Sequence, residues 1–277
     1  MPIRSNLHTH TIYCDGVSTP REMAEAALAN GFVSLGFSGH SYTPYDDCGM
    51  SPAQALAYRQ EVLALQREYA GRLEIFLGLE NDAVAPQPLE GYEYSIGSVH
   101  YLLVDGTCYS VDMSPEETSR LVERACGGDG LKMARLFYDA VVHFADAGSA
   151  EILGHFDLIE KFNAGGRFFD TESAAYQRIA LDALDEVVSL GKIVEINTGA
   201  MARGFRHVPY PMPFLLKRLL KKKAPILLSS DAHEAAKLAM ALPETAAILY
   251  DMGFRELMEL KRGQGFVPVP LTGICDG

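Results

Sequence analysis

Seven short apolar runs, separated by stretches carrying helix signals, constrain this chain more than any other feature. They lie at Pro2–Leu7, Phe32–Phe37, Leu73–Leu79, Tyr94–Val99, Glu151–Leu153, Lys192–Ile196 and Pro225–Leu228, the first the weakest. Between them, Thr19-Pro20 precedes Arg21–Asn30 with Gly31 beyond it, and Ser51-Pro52 opens a helix to about Ala70 before Gly71. Ser114-Pro115 opens another, rich in Glu in its first turn. Each start pairs a hydroxyl that accepts from free first-turn N–H groups with a proline that needs no N–H there. Leu131–Ala147 and Thr171–Leu190 read as helices stopped by Gly148 and Gly191, and Glu234–Met240 and Pro243–Met252 as helices of the tail. Such alternation predicts parallel βα units. No linker, low-complexity tract or internal repeat divides residues 1–277, so the expected fold is α/β, a TIM-barrel-like single domain.

The ends of the runs carry the chemistry. His8 and His10 end the first, His40 follows the second in GFSGH, and Glu80 follows the third in FLGLEND. His100 closes YSIGSVH, His155 sits in EILGHFD, and Asp231 with His233 end ILLSSDAH. In a parallel barrel the carboxyl ends of all strands open on one rim, which gathers residues distant in sequence around one mouth. Taken singly these residues have plain explanations: a lone His-x-His is commonly accidental, and Asp231 or Ser230 could cap a following helix. Jointly they do not, because six of the eight histidines fall at strand ends and unpaired imidazoles and carboxylates there call for a bound cation. The donors are all nitrogen and oxygen, which suits zinc, manganese or iron in a hydrolytic site. Their number exceeds the needs of one four-coordinate ion, so a cluster is implied, with a carboxylate such as Glu80 placed to bridge two ions.

Composition removes other classes. A net charge of −12 argues against a nucleic-acid partner and against docking on an anionic membrane. No apolar run reaches the length of a membrane span, and no leader is visible before the first histidines, so a cytoplasmic enzyme of small solutes is expected. The five cysteines (Cys14, Cys48, Cys108, Cys126 and Cys275) are scattered without zinc-finger or redox spacing. The Gly-rich spots at Gly127–Gly130 and Gly165-Gly166 make neither a P-loop nor a dinucleotide fingerprint.

In order along the chain, HTH with the following Asp15, GH, GLE, GSVH, GHFD and SDAH resemble the motifs of the PHP (polymerase and histidinol phosphatase) superfamily. EYSIGSVHYL, ILGHFDLIEKFN and the stretch Glu195–Pro211 are similar to its histidinol-phosphatase branch over nearly the whole chain. The resemblance implies a distorted seven-stranded (β/α) barrel holding three divalent metal ions. It assigns His8, His10, Glu80 and Asp231 to one ion, Glu80, His100 and His155 to a second, and Asp15, His40 and His233 to the third. Asp15 stands where some members carry His, which implies a third site of different affinity or metal preference.

The chemistry that fits is hydrolysis of a small phosphomonoester by a metal-activated hydroxide, and the resemblance implies L-histidinol phosphate, in histidine biosynthesis, as that monoester. Glu80, Asp231 and His233 are the candidate catalytic residues at the metals. The dianion also calls for fixed cations. Arg203, favoured by the resemblance, is the first candidate; Arg206, His207 and Lys161 are others, with an ordinary surface cation the alternative for Arg206 and Lys161. The Tyr42–Tyr45 loop after His40 is expected near the mouth, where it would shape the pocket around the leaving group. Cys14 reads as a packed side chain, His143 as a structural helix residue, and Lys221–Lys223 as a solvated helix end. Alternatives are a PHP phosphoesterase for another monoester or for phosphotyrosine, an amidohydrolase-type barrel, and a PHP domain that binds metal without catalysis.

Overall fold

The computed structural model describes residues 3–148 and 150–271; Pro2 of the first run and Cys275 lie outside them. In chain order the elements begin with β1 (Ser5–Asn6), α1 (Pro20–Ala29), β2 (Ser34–Phe37), α2 (Pro52–Glu68), β3 (Glu74–Asp82) and β4 (Tyr94–Ser98). A hairpin of β5 (Tyr101–Val104) and β6 (Thr107–Ser110) follows, then α3 (Pro115–Ala125), α4 (Gly130–Asp146), β7 (Ile152–Leu153), α5 (Ala174–Ser189) and β8 (Ile193–Asn197). The chain continues through α6 (Gly199–Ala202), α7 (Pro213–Lys222), β9 (Ile226–Ser229), α8 (Leu242–Met252) and a second hairpin, β10 (Glu256–Lys261) with β11 (Gly265–Pro270).

Helices start where the sequence signals them. Thr19 and Ser51 form capping boxes with Glu22 and Gln54, each followed by proline in the first turn. Ser114, Asp129 and Ser173 cap α3, α4 and α5 through their side-chain oxygens. The segment after His233 is different. Only one 3₁₀ turn forms there, Ala235–Lys237, in place of the expected helix Glu234–Met240. The Leu238 carbonyl accepts from Asn6 Nδ2 and the Ala235 N–H donates to Ser18, so tertiary partners have taken groups a helix would use.

The seven runs become one parallel sheet in the order β1-β2-β3-β4-β7-β8-β9. Its two edges approach each other: Thr9 and Ala232 form a parallel bridge, with His10 N donating to Ala232 O at 2.9 Å. The result is a nearly closed seven-stranded barrel with the helices outside. Residues alternate along each strand, so one inner face can be read off by twos. Phe76, Gly78, Glu80 and Asp82 share it on β3, and Ile193, Glu195 and Asn197 on β8. Leu227 and Ser229 do so on β9, continued by Asp231 beyond its end. The lower members (Phe76, Tyr94, Ile96, Ile152, Ile193 and Leu227) pack into one buried cluster with Leu7 and with Leu260 of β10. The upper members are polar. A barrel apolar at its floor and ionisable at its carboxyl rim places the site before any particular side chain is considered. Among the described residues no helix is long and apolar enough to cross a membrane.

Candidate metal centre and active site

Glu80 stands at the centre, 1% exposed, on the last inward step of β3 before Asp82. Its Oε2 lies 3.2 Å from His8 Nε2, 3.3 Å from His10 Nε2 and 2.9 Å from His40 Nδ1. Oε1 accepts from Ser98 Oγ at 2.6 Å and lies 3.1 Å from His155 Nε2 and 3.5 Å from His100 Nε2. Asp231 Oδ1 is 3.2 Å from His10 Nε2 and 3.6 Å from His8 Nε2. Asp15, from the loop after β1, lies 3.1 Å from His233 Nε2 and 3.6 Å from both His10 Nδ1 and His40 Nε2. All nine expected ligands therefore meet at one place.

Three of these atoms are buried and make no hydrogen bond: His8 Nε2, His10 Nε2 and Glu80 Oε2. Both nitrogens sit within 3.3 Å of Glu80 Oε2, yet none of the three atoms makes a hydrogen bond. Buried polar atoms left this way are costly unless something else binds them. Atoms converging on a common point, all nitrogen or carboxylate oxygen, fit a divalent cation. Three groups have donors close enough to share an ion: His8, His10 and Asp231; His40, Glu80 and His100; and His10, Asp15, His40 and His233.

The electrostatics point the same way. Burial, with His233 and His40 nearby, lowers His10 to about 3, so it stands neutral, the form that ligates metal. Against the burial that would raise it, Glu80 is held well below the usual carboxylate range by His40, His8 and His100. Burial opposes ionisation of Asp231 too, but Arg203 and His8 hold it well below its ordinary value. His8 is raised well above its ordinary value despite burial, because Glu195, Glu80 and Asp231 face it. Negative charge gathered in a dry site is what a cation cluster neutralises.

A surrounding set of residues fixes these rings. Glu195 Oε1 is 2.6 Å from His8 Nδ1, and its Oε2 accepts from the backbone N–H of His155 at 2.8 Å. Asp82 Oδ2 lies 2.8 Å from His100 Nδ1. Partners of this kind orient metal-binding imidazoles and set their tautomer. Neither acid was among the expected site residues. The signal for Glu195 was its place two residues from Ile193 and from Asn197 on a strand whose end bears no ligand.

Above the rings lies a cavity of about 350 Å³, lined by the metal-facing residues and by Thr43, Asp46, Asp112, Lys161, Arg203 and Phe205. Arg203 donates to Asp231 Oδ2 at 3.1 Å and lies 3.1 Å from His233 Nδ1. Gly199 permits this approach, since a Cβ there would stand 2.7 Å from Asp231 Oδ2. Lys161 lines the cavity, paired with Asp112 at 2.9 Å. Arg206 is buried behind it, about 4 Å from Asp157 and Glu160, its guanidinium 4.2 Å from the Tyr210 ring centroid. Neither is the surface cation considered above. His207 is exposed and does not line the cavity. His143 is exposed near the end of α4. Lys221 to Lys223 close α7, where Lys222 pairs with Asp185. Cys14 is packed with Sγ 3.5 Å from His10 Nδ1, and burial pushes its thiol up, away from the thiolate.

The PHP domain family matches residues 6–199. A protein of Deinococcus radiodurans called "Probable histidinol-phosphatase" is 32% identical over 260 residues, covering 90% of this chain and 93% of that protein. The crystal structure of HisK from Listeria monocytogenes superposes with a TM-score of 0.74 at 19% identity, over 86% of this chain and 98% of that one. Histidinol phosphate phosphatase (HisK) from Lactococcus lactis, solved with zinc, L-histidinol and phosphate, gives a TM-score of 0.60 at 21% identity, over 92% of this chain and 95% of that one.

Proposed function

The chain belongs to the PHP domain family, and on that premise we propose that it is a metal-dependent phosphatase that hydrolyses L-histidinol phosphate to L-histidinol and phosphate. The observation that carries this is the convergence of nine nitrogen and oxygen donors at the barrel mouth, with three buried atoms lacking any hydrogen-bond partner. His8, His10, Glu80 and Asp231 would hold one divalent ion, Glu80, His100 and His155 a second, and Asp15, His40 and His233 a third. Zinc, manganese and iron all suit this donor set. When bound, such ions supply positive charge for the phosphoryl oxygens and make a hydroxide nucleophile available near neutral pH.

The protein's own groups do the rest. Arg203 has Nη2 on Asp231 and stands over the metal-facing residues, where its guanidinium would grip the phosphate and neutralise it as charge builds. Lys161, already balanced by Asp112, adds a point charge at the cavity wall. Glu195 and Asp82 hold His8 and His100 in place. Hydrolysis consumes one water, breaks the ester P–O bond and returns the proton to the departing alkoxide. We read the chain as one catalytic domain. A cytoplasmic location belongs to the same reading, on the acidic composition and on Cys14, Cys48, Cys108 and Cys126, which are all free.

The test is kcat/KM for L-histidinol phosphate against a panel of phosphomonoesters, with protein loaded with manganese or zinc. A preference of several orders of magnitude is expected, with turnover abolished in Glu80→Ala, which removes the bridge between two ions. Broad, slow activity across the panel would reject the substrate. Inactivity with metals bound would reject catalysis, and near-wild-type turnover of Glu80→Ala with full metal content would reject the site.

A further inference from the structure

A second cavity, of about 500 Å³, lies outside the barrel, between the first half of α2, the segment joining β3 to β4, and the loop after His40. None of the metal-facing residues lines it. Met50, Ala55, Leu79 and Pro88 give it an apolar wall. Two opposite charges line it as well, and they do not meet. Arg59 is half-buried, its guanidinium 5.1 Å from the Tyr92 ring centroid, and it makes no ion pair among the described residues. Glu90 is exposed and makes none either. Gly91 brings the two charges side by side. At a φ of 84° and without a side chain, it leaves room for Arg59 Nη2, which a Cβ there would overlap. The walls are fixed in advance. Buried Asn81 accepts from the Gln87 N–H at 2.8 Å and donates to the Gln87 carbonyl at 3.0 Å, and a capping box sets the start of α2.

A purely anionic ligand would set like charge against Glu90, and a purely cationic one would do so against Arg59. A ligand carrying both charges on one carbon, with an apolar group beyond, satisfies the cation, the anion and the wall together. The guanidinium fork suits a carboxylate, and a carboxylate accepts from an ammonium. We propose that this cavity binds a free α-amino acid with an apolar or aromatic side chain. Its carboxylate lies on Arg59, its ammonium on Glu90 and its side chain against Met50, Leu79 and Tyr92. The position gives the site a consequence. Ser41 lines both cavities; Tyr42 and Met50 line this one, and Thr43 and Gly49 of the same loop line the catalytic one. An occupant therefore buttresses the loop from behind, and a loop already ordered costs less to order when substrate arrives. On the phosphatase reading above, the amino acid is an effector that lowers KM.

Isothermal titration calorimetry of the metal-loaded protein with L-phenylalanine and with L-leucine tests the site without using turnover. At least one should bind with a Kd of about 1 mM or tighter. Phenethylamine, which lacks the carboxylate, and N-acetyl-L-phenylalanine, which lacks the ammonium, should both bind more weakly than L-phenylalanine. Arg59→Met should weaken binding about 10- to 100-fold, and Glu90→Gln, at an exposed position, about 2- to 5-fold. Glu90 is unpaired, so Glu90→Gln keeps the test open should Arg59→Met, which loses the stack on Tyr92, fail to fold. No binding of either amino acid overturns the site. An equal Kd in the wild type and both variants assigns the binding to the metals and overturns it too. At saturating amino acid, KM for L-histidinol phosphate should fall about 2- to 10-fold in the wild type and stay unmoved in Arg59→Met. Binding with an unmoved KM upholds the site and overturns its coupling to the loop. A wild type that binds the amino acid but turns over no phosphomonoester upholds the site and rejects the phosphatase reading.

Discussion

Glu195 is fully buried, faces no solvent and is expected to touch no metal, yet two of the centre's histidines depend on it. One oxygen holds His8 Nδ1 and accepts from Ser229 Oγ; the other accepts from the His155 N–H and from Asn197 Nδ2. It is ionised in spite of burial because His8 and His155 face it. Replacing the charge without changing the volume, as in Glu195→Gln, puts an amide where a carboxylate accepts on both sides. At least one of four donors then meets an N–H. Removing a partner of this kind commonly costs 10- to 100-fold in metal affinity. We therefore expect Glu195→Gln to bind zinc or manganese about 10- to 100-fold more weakly, with far-ultraviolet circular dichroism like that of the wild type. Competition with a chelator reads the affinity directly. Unchanged affinity alongside unchanged turnover would show that His8 needs no anchor.

At the scale of the elements, the barrel interior is shaped by what β2 and β3 omit. Tyr94 reaches across from β4 and donates to Leu7 O at 2.5 Å. A Cβ on Gly36 would stand 2.3 Å from the Tyr94 hydroxyl, and one on Gly78 2.2 Å from its ring. The ring is wholly within the core and cannot move aside, so Gly78→Ala is expected to destabilise the fold by about 1–3 kcal/mol. Urea denaturation measures this, and a change within about 0.5 kcal/mol would mean that the strand shifts freely. The same element view explains what could be read from sequence. Each of the seven runs was legible because it is apolar and bounded by glycine, proline or a cap. Eight of the nine rim residues were legible because parallel topology gathers strand ends; Asp15, in the loop after β1, came only from the resemblance. The hairpin Tyr101–Ser110 escaped notice although Asp105-Gly106, both at positive φ, is a two-residue turn signal between strand residues. The hairpin of β10 and β11 escaped because its strands read as one weakly apolar tail, with Pro268 and Pro270 arguing against a strand. Glu195 and Asp82 were hidden for another reason. A carboxylate on a strand acts only through the partner opposite, and that partner is set by the pairing of β3 with β4 for Asp82, which meets His100, and by the closure of the sheet for Glu195, which meets His8.

For the molecule as a whole, that closure is where metal and fold meet. Six junctions of the barrel are strand ladders, but the seventh, between β1 and β9, is a single bridge at Thr9 and Ala232 with a long return bond from Ala232 N to His8 O at 3.4 Å. His8 and His10 lie on one side of that seam, Asp231 and His233 on the other, with Glu80 facing both histidines from β3. Ions held by this set would staple the seam from within. A ligand that binds only the folded state stabilises it by about 2.7 kcal/mol when its free concentration is 100 times Kd. For a chain of this size that corresponds to roughly 5–10 °C in Tm. Stripping the metals with a chelator is therefore expected to lower Tm by about that much. Amide hydrogen exchange should show where the loss falls. Protection should fall first at residues 8–11 and 229–233, while Gly78–Glu80, laddered to β4 and bridged to His40 at Glu80, keeps its own. An unchanged Tm, or a loss of protection spread evenly over all seven strands, would detach the metals from the seam and leave the apolar floor alone holding the barrel shut.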